Sequence, residues 1–182
     1  MYWEKIDGAF SFRYFYEAMA RKFNNATFVE IGTWEGQSIM FMAEKIKELK
    51  KNIKLYGIDT FKGNVEHAEH PDVVSDKVYE IYLKNIEPLK EYITTIKGSS
   101  HDVYNQFEDE SVDFLFMDGD HSYAAVRKDL QLWYPKVKKG GIISGHDYLW
   151  VDGRVKMAVD GFFLFTSVFS DPNMDCWWKE KK

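Results

Sequence analysis

The sequence predicts an α/β fold: a Rossmann-like, doubly wound, mostly parallel seven-stranded sheet with helices on both faces. Three observations carry that prediction. Short apolar runs alternate with segments of helical periodicity along most of the chain, as in sheets built with crossover helices. A glycine turn, "VEIGTWEGQSI", joins the first apolar run to the long amphipathic segment after it. The unusual polar residues fall at the carboxyl ends of the apolar runs, where open α/β sheets bind their ligands.

Each element has its own warrant. Phe12, Phe15, Tyr16, Met19 and Phe23 recur at helical spacing, so residues 10–23 read as a helix within an N-terminal helical segment, 1–25. "TFVEIG" (27–32) reads as a buried strand. Ile39, Met42, Ala43, Ile46 and Leu49 then mark a helix with a Lys/Glu outer face. "IKLYGID" (53–59) is the second strand, residues 62–75 are polar and irregular, and Val78, Ile81, Tyr82 and Ile86 mark a helix. "YITTIKG" (92–98) is the third strand, 101–107 a short helix, and "VDFLFMD" (112–118) the fourth strand. Val126, Leu130 and Trp133 mark a helix that Pro135 ends. "GGIISGHD" (140–147) reads as a fifth strand entered through a Gly-Gly turn. Val155, Ala158, Val159 and Phe162 mark a last helix, and "FLFTSVFS" and "DCWWKE" supply two more strands.

The bulk numbers fit one domain over 1–182, long enough to bury a core. A net charge of −5 argues against a nucleic-acid backbone as partner. Cys176 is the lone cysteine, which excludes an internal disulfide and suits a reducing compartment. No apolar run approaches the roughly 20 residues of a membrane span, and "MYWEKIDGAF" lacks the basic-then-apolar order of a secretory signal. The expectation is a cytoplasmic protein with no membrane partner. Aromatic residues cluster near the N-terminus at Tyr2, Trp3, Phe12 and Phe15, where core packing is the better reading; the same helix offers a face to a second copy of the chain.

The glycine turn carries the first chemistry. Gly32 permits a tight turn with positive φ, Gly36 lets the helix start close to the strand, and that helix start offers free amides to a polar ligand. Asp59 ends the next strand, where an acidic residue can accept the hydroxyls of a ribose. A dinucleotide fingerprint would read G-x-G-x-x-G, but here Trp34 and Glu35 stand where a pyrophosphate needs small neutral residues. Glu30, just before the turn, would repel a diphosphate and suits a cationic ligand. S-adenosylmethionine carries a sulfonium and an ammonium and no phosphate.

In order, "VEIGTWEGQS", "LYGIDTF", "KGSS", "FMDGDHSY", "PKVKKGGIISGHDY" and "AVDGFF" together resemble the class I S-adenosylmethionine-dependent methyltransferases over about residues 27–163. More narrowly, "DGDHSY", the Gly-Gly and "GHDY" are similar to the small bacterial O-methyltransferases grouped with macrolide and aminocoumarin sugar O-methyltransferases and with cephalosporin-hydroxylase-like proteins. The resemblance implies donor contacts at Glu30, Gly32, Thr33, Gly36 and Ser38 around the methionine part. It implies the ribose at Asp59, with Thr60, Phe61, Ser99 and Ser100 around the adenine and Asp118 and Gly119 beneath the donor. Trp34 departs from the family's fuller glycine pattern.

Methylating a hydroxyl requires removal of its proton. His121 has the residue type for a general base near neutrality. Asp118 and Asp147 end neighbouring strands and could share one divalent ion, Mg²⁺ or Mn²⁺. The resemblance implies an adjacent acidic pair after the fifth strand; His146 stands in place of one member and favours Mn²⁺, Fe²⁺ or Zn²⁺. Asp120 is a further possible ligand. His67 and His70 read as solvated lid residues, and segments 62–90 and 148–154, with Tyr148, Trp150 and Arg154, as the acceptor-side cap. The expected activity is therefore methyl transfer from S-adenosylmethionine to a small-molecule hydroxyl, with a sugar as one candidate. Two alternatives stay open on the residues alone: an NAD(P)-dependent oxidoreductase on a related sheet, and a donor-binding module without catalysis.

Overall fold

In the computed structural model, residues 1–150, 152–164 and 166–182 are described. Val151, in the expected cap segment 148–154, and Phe165, in the expected strand 163–170, lie outside the described residues.

Side-chain alternation along buried strands builds two apolar layers. Strand β1 (Ala26–Ile31) sends Phe28 to one face and Val29 and Ile31 to the other. Strand β4 (Val112–Met117) divides Phe114 and Phe116 from Leu115 and Met117 in the same way. The first layer is closed by α1 (Arg13–Lys22), α2 (Gln37–Glu48) and α4 (Val78–Ile86), through Tyr16, Ile39, Ile46 and Tyr82. The second is closed by α5 (Ser100–Val103), α6 (Tyr123–Trp133) and α7 (Arg154–Phe162), through Val103, Leu130, Trp133 and Val159. The remaining helix, α3 (Pro71–Val74), is one short turn with no buried residue.

The sheet runs β3 (Ile93–Lys97), β2 (Ile53–Asp59), β1, β4, β5 (Val137–Gly145), β7 (Cys176–Glu180), β6 (Phe169–Asp171). Strands β1 to β5 pair in parallel, and β7 pairs antiparallel with both β5 and β6. The order reverses between β1 and β4, which opens a crevice beyond the strand ends. No helix among the described residues is long and apolar enough to cross a membrane.

Four expectations change. The strand expected over 163–170 is confined to β6, Phe169–Asp171. Strand β5 begins at Val137, ahead of the Gly-Gly pair. Its register against β4 jumps from Val112↔Val137 to Phe114↔Ile142, so Gly140, at φ +77°, sits in a bulge inside the strand, not in a turn before it. The polar stretch 62–75 contains a 3₁₀ turn, Val65–His67, as well as α3. The N-terminal aromatics divide: Trp3, Phe12 and Phe15 pack inside this chain, Phe12 against Phe116 at 4.4 Å, while Tyr2 stays exposed.

Gly32 gives a direct test. A Cβ there would lie 2.0 Å from the Asp118 carbonyl oxygen, at φ +84°. Gly32→Ala is expected to lose about 3 kcal/mol or more in urea unfolding. Gly161→Ala in α7, where a Cβ meets nothing within 4 Å, is expected to gain up to about 1 kcal/mol.

Candidate active site

The strand ends are laced together by backbone bonds: Gly32 N–H to Ile58 O at 2.8 Å, Asp118 N–H to Ile31 O at 2.7 Å, and Gly98 N–H to Asp59 O at 2.8 Å. The Asp59 carboxylate then organises two turns. Its Oδ2 accepts from the amides of Thr33 at 2.7 Å and Trp34 at 2.8 Å, and its Oδ1 from the amide of Phe61 at 2.7 Å. Burial raises the pKa of Asp59 above the ordinary carboxylate value, against the opposing pull of those three amides. A carboxylate offers about four acceptor directions. Three are taken, so Asp59 has room for one more hydrogen bond on Oδ1, fewer than the pair of ribose hydroxyls anticipated from sequence.

Beyond these strand ends lies a cavity of about 300 Å³. Gly32, Asp59, Thr60, Ser99, Ser100, Asp118 and Gly119 line it. Five other residues expected around a donor do not. The Phe61 ring is buried against Tyr79 and Tyr82, at 4.7 and 4.8 Å, because its left-handed backbone (φ +58°) turns it into the first apolar layer. Gly36 faces Tyr82 and Ile86. Thr33 is 2% exposed, and its hydroxyl oxygen has no partner. Ser38 donates to Glu30 Oε1 at 2.5 Å and Tyr16 to Glu30 Oε2 at 3.0 Å, which holds Glu30 behind the turn at 3% exposure. Burial pushes the Glu30 pKa up to about 8, so near neutrality this carboxyl is mostly protonated. The acidic charge expected to favour a cationic ligand is therefore largely absent when the cavity is empty.

The cavity has further walls that sequence reading missed. Trp34, at φ +48°, stacks on His67 with ring centres 4.6 Å apart, and His70 meets the same indole edge-on at 5.1 Å. His67, expected to be solvated, lines the cavity with Trp34. Asp129 is 5% exposed; its Oδ1 accepts from Ser100 Oγ at 2.6 Å, and His101 Nε2 lies 3.3 Å away without a formed hydrogen bond. A signal for Asp129 was present, since it is three residues after Val126 and four before Trp133, on the apolar stripe of α6.

A second group adjoins the cavity through Asp118. His121 Nε2 lies 3.0 Å from Asp147 Oδ2 and 3.6 Å from Asp118 Oδ1. His146 Nδ1 lies 3.2 Å from the same Asp147 oxygen and 3.6 Å from the same Asp118 oxygen. Asp118, His121 and Asp147 each offer a ligand atom within 4.8 Å of the others, a donor set that fits a divalent cation. Burial works against the protonated rings, but Asp118 and Asp147 outweigh it, pushing the pKa up to about 11 for His121 and about 10 for His146. Burial would raise Asp147, and the two histidines instead hold it well below the usual carboxylate range. The two carboxylates facing its inner nitrogen favour the protonated ring of His121, which works against the role of free base expected from the sequence.

The cap residues divide. Glu66, which nothing in the sequence singled out, accepts from His121 Nδ1 at 3.0 Å and pairs with Arg154 at 3.3 Å, bringing the segment after β2 to the residues before α7. Trp150 is 43% exposed, free to meet a ligand. Tyr148 is buried, and its hydroxyl donates to Asp160 at 2.5 Å, which takes it out of the expected acceptor wall. Asp120 Oδ1 accepts from the Ser122 amide at 2.7 Å at the start of α6.

Glu30 sets a pH dependence. The folded state holds its proton up to about pH 8, whereas an unfolded glutamate releases it near 4.5. The folded state therefore binds more protons in that window, and its stability falls as pH rises through it. Glu30→Gln removes this slope. In urea unfolding between pH 5 and 8, the stability of the variant relative to wild type is expected to rise with pH by up to about 1.4 kcal/mol per unit.

Comparison with known proteins bears on the same segment. Residues 29–148 match the model of a methyltransferase domain family. A protein of Acanthamoeba polyphaga mimivirus is 33% identical over 127 residues, 69% of this chain and 52% of its own length, so the chain spans about half of that relative. Among solved structures, the O-methyltransferase NovP superposes with a TM-score of 0.71 at 22% identity, over 93% of this chain and 77% of its own. Cofactor-bound Rv0187 from MTB gives 0.66 at 13% identity, over 96% and 80%. These structures share the fold. The family match takes in the end of β1 with its glycine turn, Asp59, Asp118, His121 and the His146-Asp147 pair, and by it the chain belongs to the methyltransferase domain family.

Proposed function

We propose that the chain is an S-adenosylmethionine-dependent methyltransferase acting on a hydroxyl of a small molecule, with a sugar as the class suggested by the sequence resemblance. One observation carries this reading: Asp118 lines the cavity and also lies 3.6 Å from both His121 and His146. The donor's end of the site and the cluster of histidines and aspartates therefore meet at one side chain.

The donor fits the cavity by chemistry. Gly32 lines the cavity, Asp59 Oδ1 keeps one acceptor direction for a ribose hydroxyl, and His101 sits in the wall beside Ser100 and Asp129. Glu30 can give up its proton when a cationic donor arrives, since the attraction between opposite charges favours the ionised form. Methyl transfer forms a carbon–oxygen bond as the sulfur–carbon bond breaks, and the hydroxyl proton leaves to Asp118, the carboxylate of the cluster that also lines the cavity. Asp118, Asp147 and His146 are the residues that would hold a divalent cation, which when bound makes a nearby hydroxyl more acidic. Segments 62–90 and 148–154 form the acceptor side, supported by the Glu66–His121 and Glu66–Arg154 contacts and by the exposed Trp150. The structural neighbour NovP is an O-methyltransferase, which agrees with oxygen as the acceptor atom.

Calorimetric titration with S-adenosylhomocysteine tests the donor. Wild type is expected to bind, and Asp59→Asn to weaken binding about tenfold or more, about 1.4 kcal/mol. Heat with NADH and none with S-adenosylhomocysteine would reject the methyltransferase in favour of a nicotinamide enzyme. Donor binding with no methyl transfer across a panel of sugars and phenols would favour a binding module.

A further inference from the structure

The cavity wall contains a buried acid that its neighbours only half satisfy. Asp129 lines the cavity and is 5% exposed. Its Oδ1 accepts from Ser100 Oγ at 2.6 Å. Trp133, one turn further along α6, donates from Nε1 to the Ser100 carbonyl at 3.2 Å. These two bonds hold α6 against α5 and use one oxygen of the carboxylate. The other, Oδ2, makes no hydrogen bond among the described residues. His101 Nε2 lies 3.3 Å from Oδ1, again without a formed hydrogen bond. A buried carboxylate oxygen left without a donor is costly. A ligand that brings an N–H to this part of the cavity removes that cost.

The order of the strands says which part of a nucleoside arrives here. Along the ligand edge β4 leads into Asp118, β2 ends in Asp59, and β3 leads into Gly98, Ser99 and Ser100. A ribose on Asp59 with its sulfur toward Asp118 therefore carries its base toward Ser100. Ile58 and Ala125 offer apolar surface to a flat ring in the cavity. Ala125 and Asp129 are one turn apart on α6, so both belong to the face it turns to the cavity.

The polar side chains at this end differ in what they can do. The hydroxyls of Ser99 and Ser100 and the imidazole of His101 can in general donate or accept, whereas a carboxylate only accepts. The 6-amino group of adenine donates. The 6-oxo group of hypoxanthine or guanine accepts, and against Asp129 it would leave the free oxygen unpaired and repelled. We propose that Asp129 reads the base of the donor, its Oδ2 accepting from the 6-amino group and selecting adenine over 6-oxopurines. The proposal rests on the reading of this cavity as a nucleoside donor site and adds the residue that determines base specificity. The carboxylate could instead serve only to tether α5 to α6. Asparagine separates the two roles, because its amide oxygen can keep the Ser100 bond while its amide nitrogen donates in place of Oδ2.

The test titrates two compounds into the full chain by calorimetry: S-adenosylhomocysteine, and S-inosylhomocysteine, in which a carbonyl replaces the 6-amino group. Wild type is expected to bind the adenosyl compound at least about tenfold more tightly. Asp129→Asn is expected to weaken the adenosyl compound and strengthen the inosyl compound, lowering the ratio of their affinities by about tenfold or more. Asp129→Ser, whose hydroxyl can donate or accept, is expected to bind the two within about threefold of each other. A ratio unchanged in either variant, even where both affinities fall together, would overturn the assignment and leave Asp129 a tether. So would a variant that binds neither compound, or a wild type that binds the two alike. A wild type that binds neither would overturn the donor reading and this assignment with it, whereas adenosyl binding without base preference would overturn this assignment alone.

Discussion

One half-buried carboxylate holds the ligand edge of this molecule together. Asp59 ends β2 and accepts three backbone amides, two from the turn after β1 and one from the turn after β2. Two of those amides belong to Trp34 and Phe61, both left-handed and neither a glycine. Such a conformation costs about 1–2 kcal/mol per residue, and hydrogen bonds to a charged acceptor contribute about 1.5–3 kcal/mol each. The bonds can therefore offset the strain. The shape of the cavity follows from this. Trp34 is turned out into its wall, where it meets His67, and Phe61 is turned inward onto Tyr79 and Tyr82. The middle glycine of the commoner glycine-rich loop is dispensable here because the carboxylate supports the same backbone reversal under a tryptophan.

The sheet was legible because its strands are apolar on both faces and its helices are not, so the period changes visibly at each boundary. Strand β2 (Ile53–Asp59) and helix α4 (Val78–Ile86) have the limits that their apolar patterns suggest. Strand β5 was harder, since Gly140 and Gly141 read as a turn and only the pairing with β4 shows that they bulge within a strand. The site was legible in the residues whose position at a strand end is itself the argument: Gly32, Asp59, Asp118, His146 and Asp147. It was misread where burial decides chemistry. Glu30 carries a charge in the sequence, yet Tyr16 and Ser38 close over it. Glu66 could not be read at all, because its partner His121 is 55 residues away across an irregular segment.

The two halves of the site have different supports. The cavity is made by strand ends and the turns leaving them, tied by bonds between neighbouring strands. The histidine–aspartate cluster depends on segments remote in sequence: Ser11 before α1, Glu66 after β2, Arg154 at the start of α7, and the turn between β6 and β7. A polar network that draws on so many elements couples them, and a loss at any one of them is felt at the others.

The Ser11–Met174 bond spans 163 residues of sequence. Contacts of such long range close large loops and are favoured only after local structure has formed. A chain folded through β4 already has the four strand ends that surround the cavity. It lacks the carbonyl of Met174 that accepts the serine's hydrogen bond and so orients His146. The cavity and the cluster beside it therefore draw on different parts of the chain. Where the β6–β7 turn comes loose from the N-terminal segment, His146 loses its alignment while the sheet and the Asp59 clamp remain in place.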